Sequence, residues 1–227
     1  MGTLASNRKG FITGASSSNY ADSLNATTGT ASDSQTTTQN AIQYFQSSGR
    51  GGGTFRFIRT FIHFDTSGIS GGSSFQLQLT SGGSNVSGSE SNVTAIKHTA
   101  GNSNGGELAN ADFNNIDRNT AYSSATTFGS SGTITFTLNA AAATQIINNN
   151  DFNVALLLSH DAAEEEESPL GSDGDITNQI AFGSAINLTY TDPVSGYTHD
   201  VNTVAAANIG KVNTVATANI GKINTVD

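Results

Sequence analysis

The sequence predicts an all-β fold: an antiparallel β-sandwich of jelly-roll type with about eight strands and one short helix, followed by a C-terminal repeat tail. Three observations point there. Apolar residues alternate strictly with polar ones in "FQLQLT" (Phe75 to Thr80) and "TITFTLN" (Thr133 to Asn139). The longer apolar runs are short and rich in Phe, Ile, Val and Thr, and they do not alternate with helices as a parallel α/β sheet requires. The sandwich is assigned to residues 1–193 and the tail to 194–227.

Residues 1–40 are polar and loop-rich. Ala15 to Asn40, "ASSSNYADSLNATTGTASDSQTTTQN", lies between Phe11-Ile12 and "AIQYF" at Ala41 to Phe45, which places it along the surface as long loops or a weak edge strand. Gly51 to Gly53 mark a turn. Thr54 to Asp65, "TFRFIRTFIHFD", is apolar on both faces of a pleat and so reads as a central strand, with Arg59 and His63 expected near an end or a bulge. In "FQLQLT" Phe75, Leu77 and Leu79 point inward and Gln76 and Gln78 outward. Asn92 to Thr99 is a further strand, and Ile134, Phe136 and Leu138 mark the buried face of the next. Between them the Gly/Asn/Ser segment is too long for a structureless connection, so Leu108, Phe113, Ile116, Tyr122 and Phe128 are expected to pin it to the core. Asn139 to Asn150, "NAAAATQIINNN", is the helix, with Asn139 as its N-cap. Phe152 to His160 is a strand, an acidic loop follows, and Ile176 to Asp192 holds a pair of strands.

Composition narrows function. The chain has 227 residues, only 12% charged, and a net charge of −9 with nine scattered Lys and Arg, so no basic stripe exists for nucleic acid. With no Cys there is no disulfide, thiolate nucleophile or Cys metal site. No segment approaches the ~20 apolar residues of a membrane-spanning helix, and the N-terminus has no apolar signal core, so membrane insertion is not expected.

Hydrolytic chemistry would need paired carboxylates, for which Asp65, Asp161, Asp173 and Asp175 are the candidates. Asp65, just before Ser-Gly, fits the cap of a turn instead. "GSDGD" offers Asp173 and Asp175 as weak calcium candidates but lacks the ligand spacing of an EF-hand, and no other cofactor is indicated. His63, His98, His160 and His199 show no metal-ligand spacing. No catalytic residue is assigned. Tyr20, Tyr44 and Tyr122 in Asn- and Ser-rich surroundings leave a glycan-binding surface as an alternative.

The tail is the most specific feature. Val201 to Lys211 and Val212 to Lys222 agree at ten of eleven positions, and a third copy breaks off at Asp227. Each repeat holds a Gly, two Asn, a Thr and three β-branched apolar residues, a mix that costs a helix on the order of 4 kcal/mol relative to all-Ala. Ile209, Val212 and Val215 recur every third residue, which no single regular strand places on one face. That spacing fits a chain meeting equivalent neighbours about a three-fold axis. Two and a half copies fall short of the three or so that a repeat array needs to bury its own core. Val201, Val204, Ile209, Val212, Val215, Ile220, Ile223 and Val226 are therefore the expected contacts with other chains, in a tail whose conformation the sequence leaves open, extended being preferred to helical.

Two resemblances follow from these residues. Arg59, Phe61, Ile62, His63, Phe64 and Asp65, then Ser67, Gly68 and Ile69, and then "FQLQLT", resemble the R-x-F-L-R-F-D strand and its successor in jelly-roll domains of bacterial surface proteins and phage structural proteins. "TITFTLNAAAATQI" and "FNVALLLSHDAAEEEE" match that group's later strand–helix and strand–acidic-loop pieces, while His63 stands where a second Arg is usual. Ala207 to Val215, and Ala218 to Val226 with Ile223 for Val, resemble the tandem "ANIxKVNxV" units that end predicted phage virion proteins. Together they imply a non-enzymatic virion protein, made in the host cytoplasm and displayed as capsid decoration, head fibre or tail or neck appendage. Its partners would be itself, as a homotrimer, other virion proteins and a host surface glycan. The competing readings are a carbohydrate-binding adhesin module and, behind it, a glycan-degrading enzyme.

Overall fold

A computed structural model describes residues 1–33, 40–47, 53–86, 92–101, 106–129, 131–166, 175–193, 211–212 and 215–216. In chain order the elements are β1 (Gly2–Ala5), β2 (Arg8–Gly14), α1 (Tyr20–Leu24), β3 (Gly29–Asp33), β4 (Asn40–Gln46), β5 (Phe55–Asp65), β6 (Ser73–Val86) and β7 (Asn92–His98). A 3-10 turn (Asn110–Asn114) leads to β8 (Ile116–Ala121), β9 (Thr126–Thr127), β10 (Thr133–Thr137), α2 (Ala140–Asn148), β11 (Asp151–Leu158), α3 (Ser159–Ala163) and β12 (Ile176–Thr191). Twelve strands, all antiparallel, hydrogen-bond in the order β10-β6-β12-β4-β5-β11-β7-β8, with β1 on β12, β2 on β5, β3 on β2 and β9 on β7. The fold is the all-β antiparallel sandwich that the alternation predicts.

β5 joins the layers. Ile58 pairs with Thr13 of β2 on one edge and Gln43 of β4 on the other. Farther along, Thr60 to His63 keep β2 on the first edge while β11 replaces β4 on the second. β5 therefore belongs to β3-β2-β5-β11-β7-β8 along most of its length and hands over to β10-β6-β12-β4 near Ile58. The chain makes the same step between β1 and β2, where Ser6 N bonds Ile186 O (2.9 Å) and Asn7 N bonds His63 O (3.1 Å). Phe61, Ile62, Phe64, Leu77, Phe136, Phe152, Val154, Leu156 and Leu188 are wholly buried in one cluster, each worth about 1.5–3 kcal/mol of apolar transfer.

The period-two residues sit as predicted: Phe75, Leu77 and Leu79 of β6 are buried with Gln76 and Gln78 half-buried, and Ile134 and Phe136 of β10 are buried with Thr133 and Thr137 exposed. Leu108, Phe113, Tyr122 and Phe128 are buried and Ile116 packs against them, pinning the long insert. Asn139 caps α2, its Oδ1 accepting from Ala141 N (3.0 Å) and Ala142 N (3.1 Å).

Other expectations need correction. The strands and helices outnumber the expected eight and one, because β1, β3, β8 and β9 are too short or too polar to show a period, and α1 and α3 have five residues each. Ile176 to Asp192 is not a pair of strands but the single strand β12. Its "FGSA" is a bulge, where the register against β6 shifts between Phe182 and Ile186. β6 kinks opposite it: Gly82 is skipped in the pairing and Gly83 has φ +123°, a conformation that favours glycine. Arg59 lies in unbroken register with β2 in the middle of β5, at neither an end nor a bulge, whereas His63 lies two residues from the strand's end at Asp65.

The chain divides into two compact units, Met1–Thr191 and Asp192–Asp227. In the second, β13 (Lys211–Val212) and β14 (Val215–Ala216) form an antiparallel pair with Val212 opposite Val215.

Candidate functional site

An arginine in mid-strand between Phe57 and Phe61 is stable only if every donor is matched. Arg59 is wholly buried and meets that condition. Its Nε and Nη2 donate to Asp161 Oδ2 and Oδ1, both at 2.8 Å. Nη2 also donates to Leu24 O at the end of α1 (2.7 Å), and Nη1 to Phe113 O (3.0 Å) and Asn114 Oδ1 (3.3 Å) in the 3-10 turn. The guanidinium stacks 4.0 Å over the Phe113 ring. Arg118 of β8 adds bonds to Asp161 Oδ1 and O, both at 3.1 Å, and reaches Glu164 at 3.5 Å. The carboxylate that α3 supplies is 2% exposed and shared by two guanidinium groups. Both oxygens of Asp161, one of the carboxylates considered for hydrolysis, are thus engaged by guanidinium groups. This residue is the anchor that ties α1, the 3-10 turn, β8 and α3 to β5, which the sequence reading missed. The signal that could have found it is Arg59 itself, a charge in an apolar run that demands a carboxylate partner.

Tyr20 rests edge-on against Phe55 and Phe57, with ring centroids 5.7 Å away in each case. Its hydroxyl is buried without a hydrogen bond, and burial, then Asp161 and Glu166, push its ionisation upward. Tyr44 and Tyr122 are buried too, and the Tyr122 hydroxyl donates to Gln145 Oε1. Of the three tyrosines weighed for the alternative of a glycan surface, Tyr44 and Tyr122 are thus buried in the core and Tyr20 packs half-buried against it.

His63 lies between Asn7 Oδ1 (2.7 Å) and Asp151 Oδ1 (2.8 Å), joining the β1–β2 crossing to the start of β11. His98 spends both ring nitrogens on backbone: Nε2 bonds Ile62 O (3.0 Å), and Nδ1 accepts from Ala100 N (3.2 Å). With its pKa pulled down to about 4, chiefly by burial, His98 is neutral and positional. Asp65 closes β5 by accepting from Ser67 N (3.0 Å), the turn cap that its sequence context predicts, and hydrogen bonds from the Ser67 side chain and then from its backbone N–H lower the Asp65 pKa. Asp112 organises the insert, accepting from Gly101 N (2.9 Å), Ala109 N (2.8 Å) and Asn115 Nδ2 (2.6 Å).

Of the calcium candidates, Asp173 lies outside the described residues and Asp175 is exposed just before β12. No group of three metal-ligating side chains occurs among the described residues. Of the four histidines, His199 lies outside them.

In the tail, Val212 and Val215 are described, while Val201, Val204, Ile209, Ile220, Ile223 and Val226 are not. The register changes the meaning of the spacing of three: two residues separate Val212 from Val215, and the chain reverses so that they are cross-strand partners. The extended conformation preferred for the repeat holds at these four residues. No family model matches this chain, and no curated protein matches it either.

Proposed function

We propose that this chain is a non-enzymatic structural protein of a bacteriophage particle, displayed on the virion as capsid decoration, head fibre or tail or neck appendage. Its C-terminal repeats attach it, to copies of itself as a trimer and to other virion proteins. The observation that carries this reading is the tail, a compact unit separate from the body whose near-identical repeats have more Val and Ile than so short an array can bury alone. The Val212–Val215 pair supports it, since a two-stranded ribbon is marginal in water and gains stability when a further chain covers it. The body adds to the case: its most deeply buried charges, Arg59 and Asp161, are spent on holding its own loops.

Removal of Val201 to Asp227 tests the proposal. Circular dichroism of the truncated protein should match that of the full chain's body. Light scattering should show a smaller particle, and mass spectrometry of purified virions should lose the protein. A truncated chain that keeps its oligomeric state and still joins the particle would overturn the reading.

A further inference from the structure

Where β1, β12, β6 and β10 pair, one layer of the sandwich turns an uncharged polar face outward. It is formed by Gln76, Gln78 and Thr80 on β6, Thr133, Thr135 and Thr137 on β10, Asn187 on β12, and Thr3 and Ala5 on β1, with Thr189 of β12 buried between Gln76 and Thr3. The registers align them in rows. Thr137, Gln76, Thr189 and Thr3 form one; Thr135, Gln78, Asn187 and Ala5 the next; Thr133 and Thr80 begin a third. None is charged, although the chain carries 27 charged side chains and a net charge of −9. Among the described residues β10 pairs with β6 alone, so its other edge has no strand beside it. Along that edge lies a cleft of about 610 Å³, where Ser123, Ser124 and Thr126 face Thr135, Thr137 and Asn139.

We propose that these rows and the adjoining cleft bind a neutral polysaccharide. Apart from the buried Thr189, each Thr hydroxyl and each Gln or Asn amide both donates and accepts, the same dual capacity as a sugar hydroxyl, so a glycan chain is matched in many orientations. Gln78 Nε2 already donates to Gln76 Oε1 (3.4 Å), which orients the pair along the strand. An anionic or cationic polymer finds no counter-charge on this face. A protein partner finds none of the aromatic, Met or Arg anchors that dominate protein interfaces. With no aromatic ring in the rows, one copy binds weakly, and several copies on one support bind through avidity. The site goes beyond the virion reading and does not depend on it, because it lies wholly within the body.

Affinity electrophoresis of the full chain tests it, in native gels cast with dextran, galactomannan or arabinoxylan, and with polygalacturonate as the charged control. At least one neutral polymer should retard the protein and the anionic one should not. Replacing Gln78→Ala with Thr135→Ala removes two bonding side chains and should weaken retardation about twentyfold. Both side chains point away from the core, so the melting temperature should not move; Thr137→Ala, at an exposed position, gives a second variant should the first fold poorly. Three results overturn the proposal: no retardation by any of the three neutral polymers, equal retardation of the variants, or retardation by polygalacturonate alone. A concentration-dependent dimer that Gln78→Ala abolishes also overturns it, by making the face a contact between copies.

Discussion

Replacing Asp161 by Ala isolates the contribution of the buried anchor. The substitution leaves Arg59 wholly buried with Leu24 O, Phe113 O and Asn114 Oδ1 but without the carboxylate that takes two of its bonds at 2.8 Å, and it strips Arg118 of the same partner. Breaking a buried pair from one side costs about 3–5 kcal/mol, against a total stability of about 5–15 kcal/mol for a domain. With m about 2 kcal/mol/M in urea, the unfolding midpoint should fall by roughly 1.5–2.5 M with m unchanged. The matched double variant, Arg59→Met with Asp161→Leu, removes both charges together and should be less destabilised than the two single losses summed. Urea titrations of the full chain followed by far-UV circular dichroism measure Asp161→Ala, the double variant and its two single components, Arg59→Met and Asp161→Leu. A midpoint shift below about 0.5 M for Asp161→Ala, or strict additivity in the double variant, would refute the anchoring role.

Two further outcomes follow from groups already described. His98 is neutral in the fold because its pKa is held near 4, while in the unfolded chain it protonates near 6.5. Its contribution is thus fully present above pH 6.5 and lost as pH falls toward 4, by about 3 kcal/mol, and urea midpoints of His98→Gln should vary less over this range than those of the parent. Parallel pH profiles for the two proteins would contradict this. Asn139→Ala removes the acceptor for Ala141 N and Ala142 N and should cost about 1 kcal/mol in the same titration, whereas Asn139→Asp should retain most of the stability.

Local signals carried the reading of β6, β10 and α2. Alternation in "FQLQLT" and "TITFTLN" depends on the pleat alone, and the Asn139 cap involves residues two and three positions away. The same signals failed at "FGSA", where Gly and Ser suit a turn or a bulge equally and the neighbouring strands β6, β4 and β1 carry β12 straight through. They failed also at α1 and α3, which are too short to display a helical period.

By itself the sequence determined the all-β class, the buried faces of the alternating strands, the helix cap and the existence of a repeated tail, because each follows from the chemistry of residues near one another in the chain. Tertiary structure alone decided that Arg59 meets Asp161, 102 residues away, and Leu24, 35 residues away. It decided as well that Thr137, Gln76, Thr189 and Thr3 line up across four strands and that Val212 faces Val215. Strand register and the burial of a charge are set by contacts between segments, and no local pattern specifies which distant segment will supply them.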